Sequence, residues 1–130
     1  MTKTINYEKL KKDMEQWPKS WAGFDSDMPL GKEIVKSMHP FLSALMEEGY
    51  SKTTINRHVS NLWLLGGEMI SHIHTDPEMK DLVGEELLLR FVDEEGGPYS
   101  RHLATEEEQK SFDATCRKLY RFLSQKPART

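Results

Sequence analysis

Apolar residues recur every three or four positions in five stretches of this 130-residue chain. That spacing places them on one face of an α-helix, and no stretch shows the strict alternation of a half-buried β-strand. Proline and glycine, which end or interrupt helices, separate the stretches. The sequence therefore predicts an all-α fold. We expect a single-domain orthogonal bundle of about five helices over residues 1–130, with a core at about 5–124 and a basic tail at 125–130.

The first helix is predicted over residues 7–17, and Pro18 is expected to end it. The stretch that follows, up to residue 29, is rich in turn-forming residues and predicts a loop. Trp21 and Phe24 lie in this loop, and both aromatic side chains are expected to cover the core.

The second helix, predicted over residues 31–48, has a proline in its interior. Pro40 removes one backbone hydrogen bond and crowds the preceding turn, so we expect either a kink or two short helices that meet near His39. Gly49 supplies the left-handed residue that commonly follows a helix.

The central helix has the most regular pattern in the chain. Ser51 or Thr53 can cap its first turn, and the helix is expected to end near His74. Trp63 is expected to widen its buried face. Gly66-Gly67 costs about 1 kcal/mol per residue relative to alanine, so we expect another helix backbone to cross closely there.

Two further helices are predicted in the C-terminal half. Thr75-Asp76-Pro77-Glu78 begins the first, which continues through Leu87-Leu88-Leu89 and breaks at Gly96-Gly97-Pro98. Thr105 and Glu108 form a capping-box pattern at the start of the last helix. The outer positions of that helix carry Arg117, Lys118 and Arg121.

Charge is divided unevenly along the chain, although the formal net charge is only −3. Residues 76–109 have 3 basic and 11 acidic side chains, a net of −8, whereas residues 110–130 have 6 basic and 1 acidic, a net of +5. Either an acidic helix lies beside a basic one, or a basic face is reserved for a polyanion. With no apolar run of about 20 residues and no signal-peptide pattern, we expect a cytoplasmic protein without a membrane partner.

No pattern in the sequence predicts an enzyme, a metal site or a cofactor. His72 and His74 lie about 200° apart around a helix, and only Glu68 and His72 share a face, so metal ligation is not expected. Cys116, the single cysteine, lies on an apolar stripe and is expected to be buried. Neither a nucleophile with its base nor a glycine-rich phosphate loop can be assembled.

The first turn of the central helix is the strongest candidate site in the sequence. Residues 51–58 bring hydroxyl, amide, Lys, Arg and His side chains to a helix N-terminus, where free backbone N–H groups attract anions. Phosphate contacts are made by groups of these kinds. The alternative is that Ser51 and Thr53 only cap the helix while Lys52 and Arg57 are solvated.

The same region resembles a known family. The resemblance rests on Phe41-Leu42-Ser43-Ala44-Leu45-Met46-Glu47-Glu48-Gly49-Tyr50-Ser51 and on the Lys52-Thr53-Thr54-Ile55-Asn56-Arg57-His58-Val59 that follows, with Leu62. This phrase resembles the N-terminal core-binding, SAM-like domain of tyrosine recombinases, the phage-integrase family. The likeness covers roughly residues 34–73.

The resemblance implies a SAM-like helical domain that clamps one side of duplex DNA. The residues that it places at the DNA phosphates are Lys52, Thr53, Thr54, Asn56 and Arg57. If the last helix packs alongside, this set is extended by Arg117, Lys118 and Arg121. The family's catalytic domain, with its Arg, His-x-x-Arg and nucleophilic Tyr, is expected to be missing, because 130 residues leave no room for it.

Two functions follow from the sequence. One is a non-catalytic DNA-binding module, either a stand-alone relative of recombinases or an accessory factor that binds beside one in DNA recombination. The alternative is a helical protein-interaction or dimerisation module that uses the apolar 87–92 segment.

Overall fold

The computed structural model of the chain describes residues 7–23, 25–82, 84–100 and 102–125. Within these ranges it contains helices and no β-strand beyond a single bridge between Asp93 and Gly96. In chain order the helices are α1 (Tyr7–Met14), α2 (Trp17–Trp21), α3 (Asp27–Glu47), α4 (Lys52–Thr75), a 3₁₀ helix (Pro77–Asp81), α5 (Gly84–Leu88) and α6 (Glu106–Ser124). The predicted all-α bundle is confirmed.

The core lies where α3, α4 and α6 meet. Their inward faces carry the apolar residues whose spacing predicted the helices, and nearly all of these are fully buried. The buried set includes Ile34, Met38, Phe41, Leu42 and Leu45 of α3, Ile55, Leu62, Met69 and Ile73 of α4, and Phe112, Cys116, Leu119 and Leu123 of α6. Burial of each of the larger side chains stabilises the fold by roughly 1.5–3 kcal/mol.

Pro18 begins a helix and does not end one. α1 stops at Met14, and α2 starts at Trp17 with Pro18 in its first turn, where the missing N–H is not needed. α2 therefore occupies part of the predicted loop. Trp21, at the end of α2, is buried as expected for core cover, whereas Phe24 lies outside the described residues.

α3 is a single helix although Pro40 lies in its interior. Pro40 is exposed, and so is Lys36, the residue whose carbonyl loses its usual N–H partner. Water can satisfy that carbonyl, and the division into two short helices does not occur. Gly49 follows α3 with φ of +79°, which confirms the predicted left-handed residue.

The glycine pair in α4 accommodates a tryptophan ring and not another helix backbone. A Cβ atom on Gly66 would overlap the indole of Trp21. That ring is held in place by its Nε1–H, which donates to the carbonyl of Trp63 at 2.9 Å. The prediction of a close approach at Gly66 is confirmed. The prediction that the approaching group is a helix backbone was wrong. Trp63 itself is 43% exposed and does not widen the buried face.

The helix predicted after residue 75 is divided into the 3₁₀ helix and α5. Gly84, at the start of α5, has φ of +51°, a left-handed conformation that interrupts a helix. Leu87 and Leu88 are buried, and Leu89 is 40% exposed. The apolar 87–92 segment therefore belongs mainly to the core.

α4 and α6 begin with side-chain caps, as predicted. Ser51 Oγ accepts the N–H of Thr54 at 3.2 Å, and Thr105 Oγ1 accepts the N–H of Glu108 at 3.1 Å. Each cap satisfies one of the backbone donors that a helix N-terminus leaves without a partner. None of the described helices is both long enough and apolar enough to cross a membrane.

Candidate functional site

The first turn of α4 lies on the surface of the bundle. Its first backbone bond within the helix joins the N–H of Ile55 to the carbonyl of Ser51 at 3.0 Å. Earlier N–H groups of a helix have no partner inside it, and here the cap satisfies that of Thr54. Thr54 is half-buried. The exposed side chains of the turn are those of Lys52, Thr53, Asn56 and Arg57.

α6 brings a further cation to this turn. Lys118 Nζ lies 5.1 Å from the centroid of the Tyr50 ring, which precedes the cap of α4. Tyr50 in turn packs edge-on against His58, with 6.2 Å between the ring centroids. A cation over an aromatic face is held by the ring quadrupole. Lys118 is thereby positioned beside the start of α4.

A buried polar contact fixes the two helices against each other. His58 is 6% exposed, and its Nδ1 lies 2.7 Å from Thr115 Oγ1. Asn61 Nδ2 donates to the same hydroxyl at 2.8 Å and to the carbonyl of Ser111 at 3.1 Å. Because buried polar groups without partners are costly, this network specifies how α6 lies on α4.

His58 responds to the positive charge around it. Burial lowers the pKa of His58, and the nearby Arg57 and Lys118 lower it further, whereas Glu48 acts in the opposite direction. Arg57 is the neighbour of His58 on α4, and Lys118 reaches the same region from α6, where its Nζ lies over the Tyr50 ring. We call Lys52, Arg57 and Lys118 the basic patch.

The other two cations predicted on α6 are placed differently. Arg117 lies on another flank of the helix, where its Nη1 donates to the carbonyl of Glu95 at 3.3 Å. It therefore contacts the turn after α5 and does not join the basic patch. Arg121 is exposed, one helical turn beyond Lys118.

Acidic side chains border the basic patch. Glu48 lies near enough to His58 to influence its pKa. Glu107, from the first turn of α6, lines a shallow groove of about 330 Å³ together with Arg57 and Lys110. Carboxylates and cations are therefore interspersed at the edge of the basic patch.

Sequence reasoning missed the residues that position the basic patch. On α6, Ser111, Thr115 and Lys118 follow a spacing of four and three beside the apolar stripe, and on α4 His58 and Asn61 are three apart. Such polar positions at the edge of a buried face predict a helix–helix contact through hydrogen bonds. Their pairing could not be assigned without the fold, because the two helices are far apart in sequence.

Three other residues singled out in the sequence make contacts within the fold. His74 Nε2 lies 2.9 Å from both carboxylate oxygens of the buried Asp27, and the His72 ring packs edge-on against Phe91. Within the described part of the chain, no three His, Cys, Asp or Glu residues gather as metal ligands. Cys116 is fully buried as predicted, and burial raises the pKa of its thiol far above the usual range.

Comparison of the chain with protein-family models, with curated proteins and with solved structures gives no match.

Proposed function

We propose that the chain is a non-catalytic DNA-binding module that contacts duplex phosphates through the basic patch. The observation that carries this proposal is the packing of α6 against the start of α4, which places Lys118 Nζ 5.1 Å from the centroid of the Tyr50 ring while the contact between His58 and Thr115 holds the two helices together. Arg57 and Lys118 stand beside the exposed N-terminal turn of α4, where free backbone N–H groups and the helix dipole favour an anion. Lys52, Thr53 and Asn56 extend the same exposed surface.

The resemblance to integrase core-binding domains agrees with this assignment. It covers the end of α3, the turn around Gly49 and the start of α4, and it implies phosphate contacts by Lys52, Thr53, Thr54, Asn56 and Arg57. In the proposed function the module acts in the cytoplasm, alone or beside a recombinase. Arg121 can add a contact on the exposed side of α6, whereas Arg117 is engaged by Glu95.

The neighbouring carboxylates predict weak and salt-sensitive binding. Glu48 and Glu107 repel phosphate on two sides of the basic patch, so only a few phosphates can be neutralised. Each neutralised phosphate adds about 0.9 to the slope of log affinity against log salt concentration. We expect affinity for duplex DNA to fall by about tenfold or more between 50 and 200 mM salt.

Fluorescence anisotropy with labelled duplexes tests the proposal. Lys52→Glu with Arg57→Glu removes two cations from the basic patch and should weaken binding to all duplex sequences by at least about tenfold, with a smaller salt slope. The matched control is Lys19→Glu with Lys32→Glu, which changes net charge equally at two exposed lysines of α2 and α3. Equal losses in the two double variants, or no duplex binding at low salt, would contradict the proposal.

Titration of His58 by NMR tests whether duplex DNA binds at the basic patch. Phosphate near Arg57 and Lys118 offsets the positive charge that lowers the pKa of His58, so duplex DNA should raise that pKa. A pKa of His58 that does not change when DNA binds would place the DNA elsewhere.

The alternative function, an adhesive apolar surface at residues 87–92, has little exposed area in the structure. Leu87, Leu88 and Val92 are 1%, 0% and 3% exposed. Leu89 is the exposed leucine of this segment, and a single exposed apolar side chain is common on protein surfaces. We therefore favour DNA binding.

A further inference from the structure

A cavity of about 630 Å³ opens between α2, the second half of α4 and the segment before α6. Its volume lies within the range of roughly 300–1,000 Å³ that is typical of small-molecule sites. The lining includes three aromatic rings, one carboxylate and two imidazoles, from Trp21, Trp63, Tyr99, Glu68, His72 and His102. No residue of the basic patch lines it, so its function is separate from the proposed DNA contact.

The two tryptophans present carbon surface to this cavity. Trp21 Nε1–H donates to the carbonyl of Trp63 at 2.9 Å, and Trp63 Nε1–H donates to Ser20 Oγ at 3.0 Å. With both N–H groups donated to protein acceptors, the indoles offer a ligand ring surface and no free hydrogen-bond donor, and most of that surface belongs to Trp63 because Trp21 is only 9% exposed.

Two of the three rings are unusually exposed. Trp63 is 43% exposed and Tyr99 is 79% exposed, although burial of aromatic side chains of this size is strongly favourable. They border the same cavity. Exposed aromatic groups at the edge of a cavity are typical of a surface that a ligand covers.

The described lining residues include one carboxylate, that of Glu68. Ser100 Oγ donates to Glu68 Oε1 at 2.9 Å, which holds the carboxylate in place. Among the described residues that line the cavity there is no Lys or Arg. A carboxylate beside tryptophan and tyrosine rings favours a cationic ligand, because both the charge and the ring quadrupoles attract it.

We propose that this cavity binds a quaternary ammonium group, such as the trimethylammonium head of choline. Such a cation has no N–H donors and carries its charge on methyl groups, so it needs π surface and a counter-charge more than hydrogen-bond acceptors. A metal ion would require several oxygen or nitrogen ligands, and no such group of three is present among the described residues.

Calorimetric titration with choline and with 3,3-dimethylbutan-1-ol tests the proposal, because the alcohol has the same shape and no charge. Choline should bind at least about tenfold more tightly, a difference of about 1.4 kcal/mol. Glu68→Gln keeps an acceptor for the Ser100 hydroxyl and should remove most of that preference. Glu86→Gln, an exposed carboxylate of α5, is the matched control and should leave it unchanged.

A second pair of variants tests the ring contact without risk to the fold. Tyr99 is largely exposed, so Tyr99→Ala should fold normally and weaken choline binding by about threefold to tenfold, whereas Tyr99→Phe should retain it. Equal binding of choline and the alcohol, or choline binding that neither Glu68→Gln nor Tyr99→Ala changes, would overturn the proposal.

Phosphatidylcholine vesicles distinguish the source of the ammonium group. Cosedimentation that Glu68→Gln abolishes would support binding of the group on a lipid headgroup. Choline binding without cosedimentation would support binding of the group on a free small molecule.

Discussion

At the scale of single residues, the contact between Trp21 and α4 depends on the absence of one side chain. A Cβ on Gly66 would overlap Cζ2 and Cη2 of the Trp21 indole, whereas a Cβ on Gly67 would lie 3.4 Å from Trp21 Cδ1, an ordinary contact. The ring cannot move away freely, because its Nε1–H is bonded to the carbonyl of Trp63. Two adjacent glycines therefore have different roles.

Alanine at these two positions should change stability in opposite directions. Gly66→Ala should lower the free energy of unfolding by about 1–3 kcal/mol through overpacking, even after the gain in helix propensity. Gly67→Ala should raise the free energy of unfolding by up to about 1 kcal/mol, because the added methyl fits and alanine favours the helix. Urea unfolding of both variants measures the difference. Similar values for the two would contradict the overlap with Trp21.

The cost of glycine in a helix was enough to predict a close approach at Gly66 from the sequence, and not enough to identify what approaches. Trp21 lies more than 40 residues earlier, in a stretch predicted to be a loop. A local pattern has no information on which distant side chain fills a gap.

At the scale of helices, predictions that depend only on neighbouring residues were confirmed, whereas some that depend on the surrounding fold were wrong. Caps at Ser51 and Thr105 were predictable because they involve neighbours three residues apart. Pro18 was misjudged because the effect of proline depends on position: it lies in the first turn of α2 and does not end a helix. Pro40 lies on an exposed face of α3, which is one continuous helix, so of the two predicted outcomes the pair of short helices does not occur. Pro18 is also buried, so tertiary packing supports its place in α2.

α5 gives a direct test of this packing. Leu88 is fully buried and Leu89 is 40% exposed, although the two are adjacent. Leu88→Ala should lower the free energy of unfolding by about 2–5 kcal/mol, and Leu89→Ala should change it by no more than about 0.5 kcal/mol. Thermal unfolding followed by circular dichroism measures both. A large loss for Leu89→Ala would mean that this side chain has a partner, as the alternative of a dimerisation surface requires.

At the scale of the whole molecule, α4 and α6 together form the basic patch. The exposed cations at the start of α4 were predictable from the sequence, because a helix N-terminus rich in Lys, Arg and hydroxyls is a local feature. Which cation of α6 joins them was not predictable, since Arg117 and Lys118 are neighbours in sequence and lie on different flanks. The hydrogen bonds of His58 and Asn61 with α6 fix the orientation of α6, so that Lys118 and not Arg117 lies beside the start of α4.

Two histidines couple the stability of the bundle to pH. Burial lowers the pKa of His58, with further effects of Arg57 and Lys118, and burial also lowers the pKa of His39. Nδ1 of His39 is buried and has no hydrogen-bond partner within the described residues. Both imidazoles are therefore easier to protonate in the unfolded chain, where the pKa is about 6.5.

Stability should fall as pH decreases below about 6.5. The unfolded chain then binds protons that the folded chain does not, so the free energy of unfolding decreases until the lowered pKa values of the folded state are reached. Each histidine contributes a slope of at most about 1.4 kcal/mol per pH unit. Well above pH 7 both imidazoles are neutral in the folded and in the unfolded chain, so these histidines add little pH dependence there.

Urea unfolding between pH 5.5 and 7.5 separates the contribution of His58. His58→Gln has no titrating imidazole and should show a smaller loss of stability on acidification, with the remainder due to His39. His102→Gln, at an exposed position, should retain the full loss. An unchanged slope in His58→Gln would mean that His58 accepts a proton equally well in the folded bundle, contrary to its burial between Arg57 and Lys118.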